Sequence, residues 1–98
     1  MIRHLVLFKF KQGASEAKFA ELEARMKGLP GQIPEIRSYE LGLDVVRSER
    51  SYDFALVSAF DDMEALKRYQ EHPAHQEVLS IIKELFGQII VADFPYQA

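Results

Sequence analysis

Few side chains in this 98-residue sequence can move a proton near neutral pH. They are the three histidines, His4, His72 and His75, and Tyr69, which stands just ahead of the last two. Histidine suits the role of general base because its unperturbed pKa lies near 6.5. A tyrosine hydroxyl suits donation to a developing oxyanion, or can hold a histidine in one tautomer. His72 and His75 are three residues apart and could share a metal, but no third ligand accompanies them, so no metal is expected. With no cysteine, disulfides, thiolate catalysis and Cys-based zinc or iron–sulfur sites are excluded. Twelve basic against fifteen acidic residues give a net charge of −3, which argues against general nucleic-acid binding. No cofactor is expected. Neither a signal peptide nor a membrane-spanning run is present, so the expected location is cytoplasmic.

The elements that must carry these residues follow from periodicity. Ile2 to Lys11 alternates, with Ile2, His4, Val6, Phe8 and Phe10 on one face and Arg3, Leu5, Leu7, Lys9 and Lys11 on the other. That predicts a strand, with His4 pointing under whatever covers Val6 and Phe8. Ser15 can cap a helix whose stripe is Phe19, Leu22, Met26 and Leu29, ended by Gly28 and Pro30. Ile36 to Leu43 predicts a second strand, and Tyr52 to Phe60 a third. In the third, Tyr52, Phe54, Leu56 and Phe60 share one face and the small Ala55, Val57 and Ala59 the other. Asp61 and Glu64 form a capping box for a helix through Met63, Leu66 and Tyr69. Pro73 suits the first position of a further helix with the stripe Val78, Leu79, Ile82, Leu85 and Phe86, stopped by Gly87. Ile89 to Ala92 supplies the last strand. His75 then falls in the first turn of its helix, where the dipole disfavours the imidazolium.

This order predicts an α+β, ferredoxin-like βαββαβ fold with an antiparallel sheet, as one domain over residues 1–98. In that unit the helices cover one sheet face. The other would leave Leu5, Leu7 and Val57 in water, and patches of several hundred Å² usually mark an interface. The expected partner is a second copy packed sheet to sheet into a joint barrel. Neither nucleic acid nor membrane is expected as a partner.

Three segments carry a resemblance. They are His4-Leu5-Val6-Leu7-Phe8-Lys9-Phe10-Lys11, Tyr52-Asp53-Phe54-Ala55-Leu56-Val57-Ser58-Ala59-Phe60, and Tyr69-Gln70-Glu71-His72-Pro73-Ala74-His75. In this order and spacing the sequence resembles the Dabb family (stress-responsive A/B barrel domain) of the dimeric α+β barrel superfamily, from His4 to Asp93-Phe94. The resemblance implies a homodimeric barrel. Its clearest enzymes are plant polyketide cyclases, which close a poly-β-keto chain by intramolecular aldol condensation. The family's functional residues are a β1 histidine, the tyrosine before the His-Pro motif and that motif's second histidine. They match His4, Tyr69 and His75, which the resemblance makes the candidate catalytic residues. Phe54 stands where a cyclase can carry a further pocket histidine, so the substrate does not carry over with the fold.

Such chemistry needs a base for an acidic proton between two carbonyls and a donor for the resulting oxyanion. The expected site is a small-molecule pocket between sheet and helices, with Phe8, Phe54, Leu66 and His72 as binding residues. Structural roles stand beside these. His4 can be a satisfied core histidine, Tyr69 a buried aromatic with a bonded tip, and His72 a helix cap. Two other functions remain in view: a non-catalytic stress-response or scaffold dimer, and a cofactor-independent monooxygenase of the same superfamily. The chain lacks the Trp and Asn typical of quinone-forming members of the latter.

Overall fold

Alternation along Ile2–Phe10 produces strand β1, in which His4, Val6 and Phe8 are buried while Leu5 and Leu7 are only half covered. The computed structural model describes residues 1–97. Helix α1 spans Glu16–Gly28, opened by the Ser15 hydroxyl, which accepts from the Lys18 amide at 3.1 Å. Its Leu22 and Met26 are buried, and a short 3-10 turn, Leu29–Gly31, closes it. Strands β2 (Ser38–Leu43) and β3 (Phe54–Phe60) follow, then helices α2 (Met63–Glu71) and α3 (Pro73–Leu85), and finally strand β4 (Phe86–Pro95).

The sheet is antiparallel throughout, in the order β2-β3-β1-β4. The helices pack on the face that carries Val6, Phe8, Phe54, Leu56 and Phe60, and the core lies between. Register gives this inner face its pattern. Tyr39, Ser58, His4 and Asp93 stand side by side across all four strands. The next row is Leu41, Leu56, Val6 and Val91, and the one beyond it Leu43, Phe54, Phe8 and Ile89. One polar row therefore crosses an otherwise apolar surface.

Several boundaries differ from those the sequence predicts. Asp62, not Asp61, caps α2. Its backbone is extended (φ −160°) and its Oδ1 accepts from the Ala65 amide at 2.8 Å. Asp61 is engaged instead by the guanidinium of Arg37, through bonds of 2.9 and 2.7 Å. Ile36 precedes β2 and turns into the core from an irregular lead-in, and β3 begins at Phe54 rather than Tyr52. Phe86 does not extend the helical stripe and Gly87 does not stop it. Phe86 pairs with Phe10 across a bulge, its ring stacked at 5.0 Å, so α3 runs directly into a strand longer than Ile89–Ala92. Among the described residues, no helix is long and apolar enough to cross a membrane.

Two substitutions test this account. Leu22→Ala, at a site with no exposure, should lower unfolding stability in urea by about 3 kcal/mol. Asp62→Ala should cost about 1 kcal/mol and Asp61→Ala visibly less, because its ion pair is exposed; equal effects would contradict the cap assignment.

Candidate functional site

The alternation of β1 buries the imidazole of His4 to 6% exposure, and the antiparallel register sets the Asp93 carboxylate of β4 directly opposite. His4 Nδ1 lies 2.5 Å from Asp93 Oδ1. A carboxylate only accepts, so Nδ1 carries the proton and Nε2 is left for another partner. On its other side Ser58, small and wholly buried, donates its hydroxyl to the His4 carbonyl at 3.2 Å.

Tyr69 lies in the last turn of α2, on the stripe begun by Leu66, and is 1% exposed. Its hydroxyl meets that of Tyr39 at 2.7 Å. Burial pushes the Tyr39 phenol up to about 12, partly offset by its bond to Tyr69. Burial also raises the Tyr69 phenol, reinforced by Tyr39. Both stay protonated at neutral pH.

The break between α2 and α3 is a single residue. His72 is extended, its Nδ1 accepting from the Ala74 amide at 3.1 Å, and Pro73 starts the next helix. This brings His75 over Tyr69, with ring centroids 4.4 Å apart; the His4 and Tyr69 rings are 6.2 Å apart. His75 Nδ1 faces the Gln70 carbonyl at 3.2 Å, so this ring too carries its proton on Nδ1 and offers Nε2 as a base. Burial holds His75 below the ordinary histidine value, helped by repulsion from His4 and His72 and opposed by the Gln70 carbonyl. Burial, which the sequence did not disclose, thus acts in the direction expected of the helix dipole.

His4, Tyr39, Tyr69 and His75 line one cavity of about 170 Å³ between sheet and helices. Phe8 and Val6 form part of its wall, and Ile89 and Val91, 43% and 55% exposed, form its rim. A larger hollow of about 390 Å³ lies along Leu7, Gly42, Ala55 and Val57, but no histidine reaches it. Among the described residues, the cavity under the helices is therefore where histidine and tyrosine side chains come together.

Of the residues singled out from sequence, His4, Tyr69, His75 and Phe8 meet at this cavity. Phe54, Leu66 and His72 are not among its lining residues. Phe54 is buried against Phe8, Phe19 and Phe86, Leu66 is buried in the core, and the His72 imidazole is turned to its capping bond. Among the described residues, no group of three or more His, Asp or Glu side chains is assembled to hold a metal. Sequence reasoning missed Tyr39, Asp93 and the Gln70 carbonyl. An acid within the apolar run of β4 was the one available signal for Asp93; Tyr39 and Gln70 carried none without the register and the helix break.

The model of the stress responsive A/B barrel domain matches residues 2–96. This chain belongs to that family. The A/B barrel chain is 42% identical to an uncharacterized protein of Streptomyces coelicolor, over 98% of this chain and 100% of that one. It is 30% identical to the stress-response A/B barrel domain-containing protein HS1 of Arabidopsis thaliana, over 95% and 87%. Olivetolic acid cyclase of Cannabis sativa is 25% identical, over 95% and 94%. Among solved structures, a dimeric ferredoxin-like protein of unknown function from Thermobifida fusca superposes with a TM-score of 0.87 at 29% identity, covering 97% of this chain and 90% of that one.

In the A/B barrel chain, His75 should titrate below the model-peptide histidine value of 6.5 in a two-dimensional NMR pH series. The folded state then binds this proton less readily than the unfolded chain. The resulting stability is complete above about pH 6.5 and declines as pH falls toward the folded value. Urea unfolding between about pH 7 and pH 5 should show that loss, and His75→Gln should flatten it.

Proposed function

We propose that the cavity binds a small carbonyl compound and catalyses proton transfer on it, in the manner of an intramolecular aldol cyclisation. The observation that carries this reading is the meeting of two histidines, each with Nδ1 bonded to an acceptor, and a protonated tyrosine around one cavity. His75 Nε2 takes a proton from the carbon between two carbonyls. The C–H pair becomes the enolate double bond, and the carbonyl π pair moves onto the oxygen, to which the Tyr69 O–H donates a hydrogen bond. The enolate carbon then attacks a second carbonyl of the same molecule, and the proton on His75 passes to the new alkoxide. His4, oriented by Asp93, presents Nε2 to accept from a hydroxyl of the substrate. The likeness to olivetolic acid cyclase supports this class of reaction, while the cavity of about 170 Å³ limits the substrate to a small one.

The proposal includes a homodimer through the sheet face bearing Leu5, Leu7 and Val57. These residues remain half covered in one chain, and Ile90 and Phe94 of β4 on the same face are 47% and 46% exposed. Apolar surface of this extent on a ten-residue edge strand with one free side calls for cover, and a second copy presents the matching face. The dimeric state of the Thermobifida fusca relative supports it.

The chemistry is tested by NMR-monitored hydrogen–deuterium exchange at the methylene of acetylacetone. The wild-type protein should accelerate exchange over buffer, and His75→Gln should lower that acceleration by about 100-fold or more with the fold intact. No acceleration by the wild type would overturn the catalytic reading. For the dimer, sedimentation should give twice the chain mass, and Leu7→Glu with Val57→Glu should give the monomer. A monomeric wild type at all concentrations would remove that part.

A further inference from the structure

We infer that Tyr39 is the outer hydroxyl of a two-tyrosine oxyanion site, donating to Tyr69 and thereby turning the Tyr69 O–H toward the ligand oxygen. The inference deepens the proposed reading of the cavity and rests on it.

The geometry begins with the polar row of the sheet. Tyr39 and His4 flank the small, wholly buried Ser58 in that row, and both line the cavity beneath α2. Tyr69 descends from α2 with its ring 6.1 Å from that of Tyr39 and 6.2 Å from that of His4. Both tyrosines line the cavity, and among the described residues each hydroxyl has the other as its only protein partner.

A phenol has one proton to give. With the cavity empty, the bond between the two hydroxyls is satisfied with either as donor. When an anionic oxygen occupies the site, a bond from Tyr69 to that oxygen is charge-assisted and outweighs a neutral one. Tyr69 then gives its proton to the ligand and can only accept from Tyr39. The chain of bonds runs Tyr39 to Tyr69 to ligand, each polarising the next in surroundings of low dielectric. Tyr39 has no need to touch the reacting atoms; it is a positioning residue that sets the direction and strength of donation by Tyr69. The ligand this favours has an ionised oxygen attached to a conjugated system, an enolate or a phenolate.

The probe is 4-nitrophenol, whose phenolate is read by absorbance. Its neutral control is 4-nitroanisole, with the same ring and no ionisable oxygen. His4 and His75 also face the cavity, so the comparison is made among variants that keep both. The wild type should bind the phenolate and lower the ionisation midpoint of bound 4-nitrophenol. Tyr39→Phe should weaken phenolate binding about tenfold and leave 4-nitroanisole within about twofold. Because Tyr39→Phe also unpairs a buried hydroxyl, a second variant keeps the bond. Site-specific Tyr39→3-fluorotyrosine makes the outer phenol a stronger donor and should move the midpoint further down, whereas an acceptor role for Tyr39 would move it up. An upward shift, or equal loss of both probes in Tyr39→Phe, would overturn the inference. So would a Tyr39→Phe protein that binds the phenolate as wild type does; these results leave the acid–base reading standing. Failure of the wild-type protein to bind either probe would remove the small-molecule site and this inference together.

Discussion

Burying hydrogen-bonding groups in an apolar layer is costly unless each finds a partner, and the inner face of this sheet concentrates that problem in one row. Tyr39, Ser58, His4 and Asp93 cross all four strands together, between the row of Leu41, Leu56, Val6 and Val91 and that of Phe60, Ile2 and Pro95. Satisfying the row fixes much else. His4 turns Nδ1 to Asp93, Ser58 bonds to the main chain, and Tyr39 reaches up to Tyr69 on α2. No buried side-chain nitrogen or oxygen among the described residues is left without a partner. The same bonds that make burial tolerable also assign the tautomers, so that structural economy and chemical readiness come from one arrangement.

How far this was legible in the sequence depends on the range of the interaction. The strict alternation of Ile2 to Phe10 was enough to point His4 inward, and the Tyr69 to His75 segment with Pro73 was enough to bring those two residues to a helix junction. Both are local patterns. Asp93 lies 89 residues from His4, and only strand register brings the two together. Tyr39 pairs with Tyr69 through a sheet position and a helix position that no periodicity connects. The choice between Asp61 and Asp62 as cap turned on which carboxylate Arg37 engages, a contact made across the edge of the sheet. Phe54 and Leu66 are apolar residues of the inner layer, as their spacing indicated. That Phe54 lies outside the cavity lining follows from its aromatic packing against Phe8, Phe19 and Phe86, which no spacing encodes.

The two faces of the sheet divide the labour of the molecule. On the helical side, large side chains fill the space except at the cavity that His4, Tyr39, Tyr69 and His75 line. On the other side, Ala55 and Val57 keep the surface low and apolar. The two sides meet in β1 and β4, whose inward residues are His4 and Asp93 and whose outward residues are Leu5 and Ala92.

Helix α3 passes into β4 with no connecting residue between Leu85 and Phe86. His75 sits near the front of that uninterrupted span and Asp93 near its end, so two residues of the His4 surroundings are carried on one continuous stretch of chain that turns from helix to strand at Phe86. The turn that relates them is packed by residues outside the cavity, the stacked rings of Phe10 and Phe86, so the spacing of His75 and Asp93 is set where no ligand would reach.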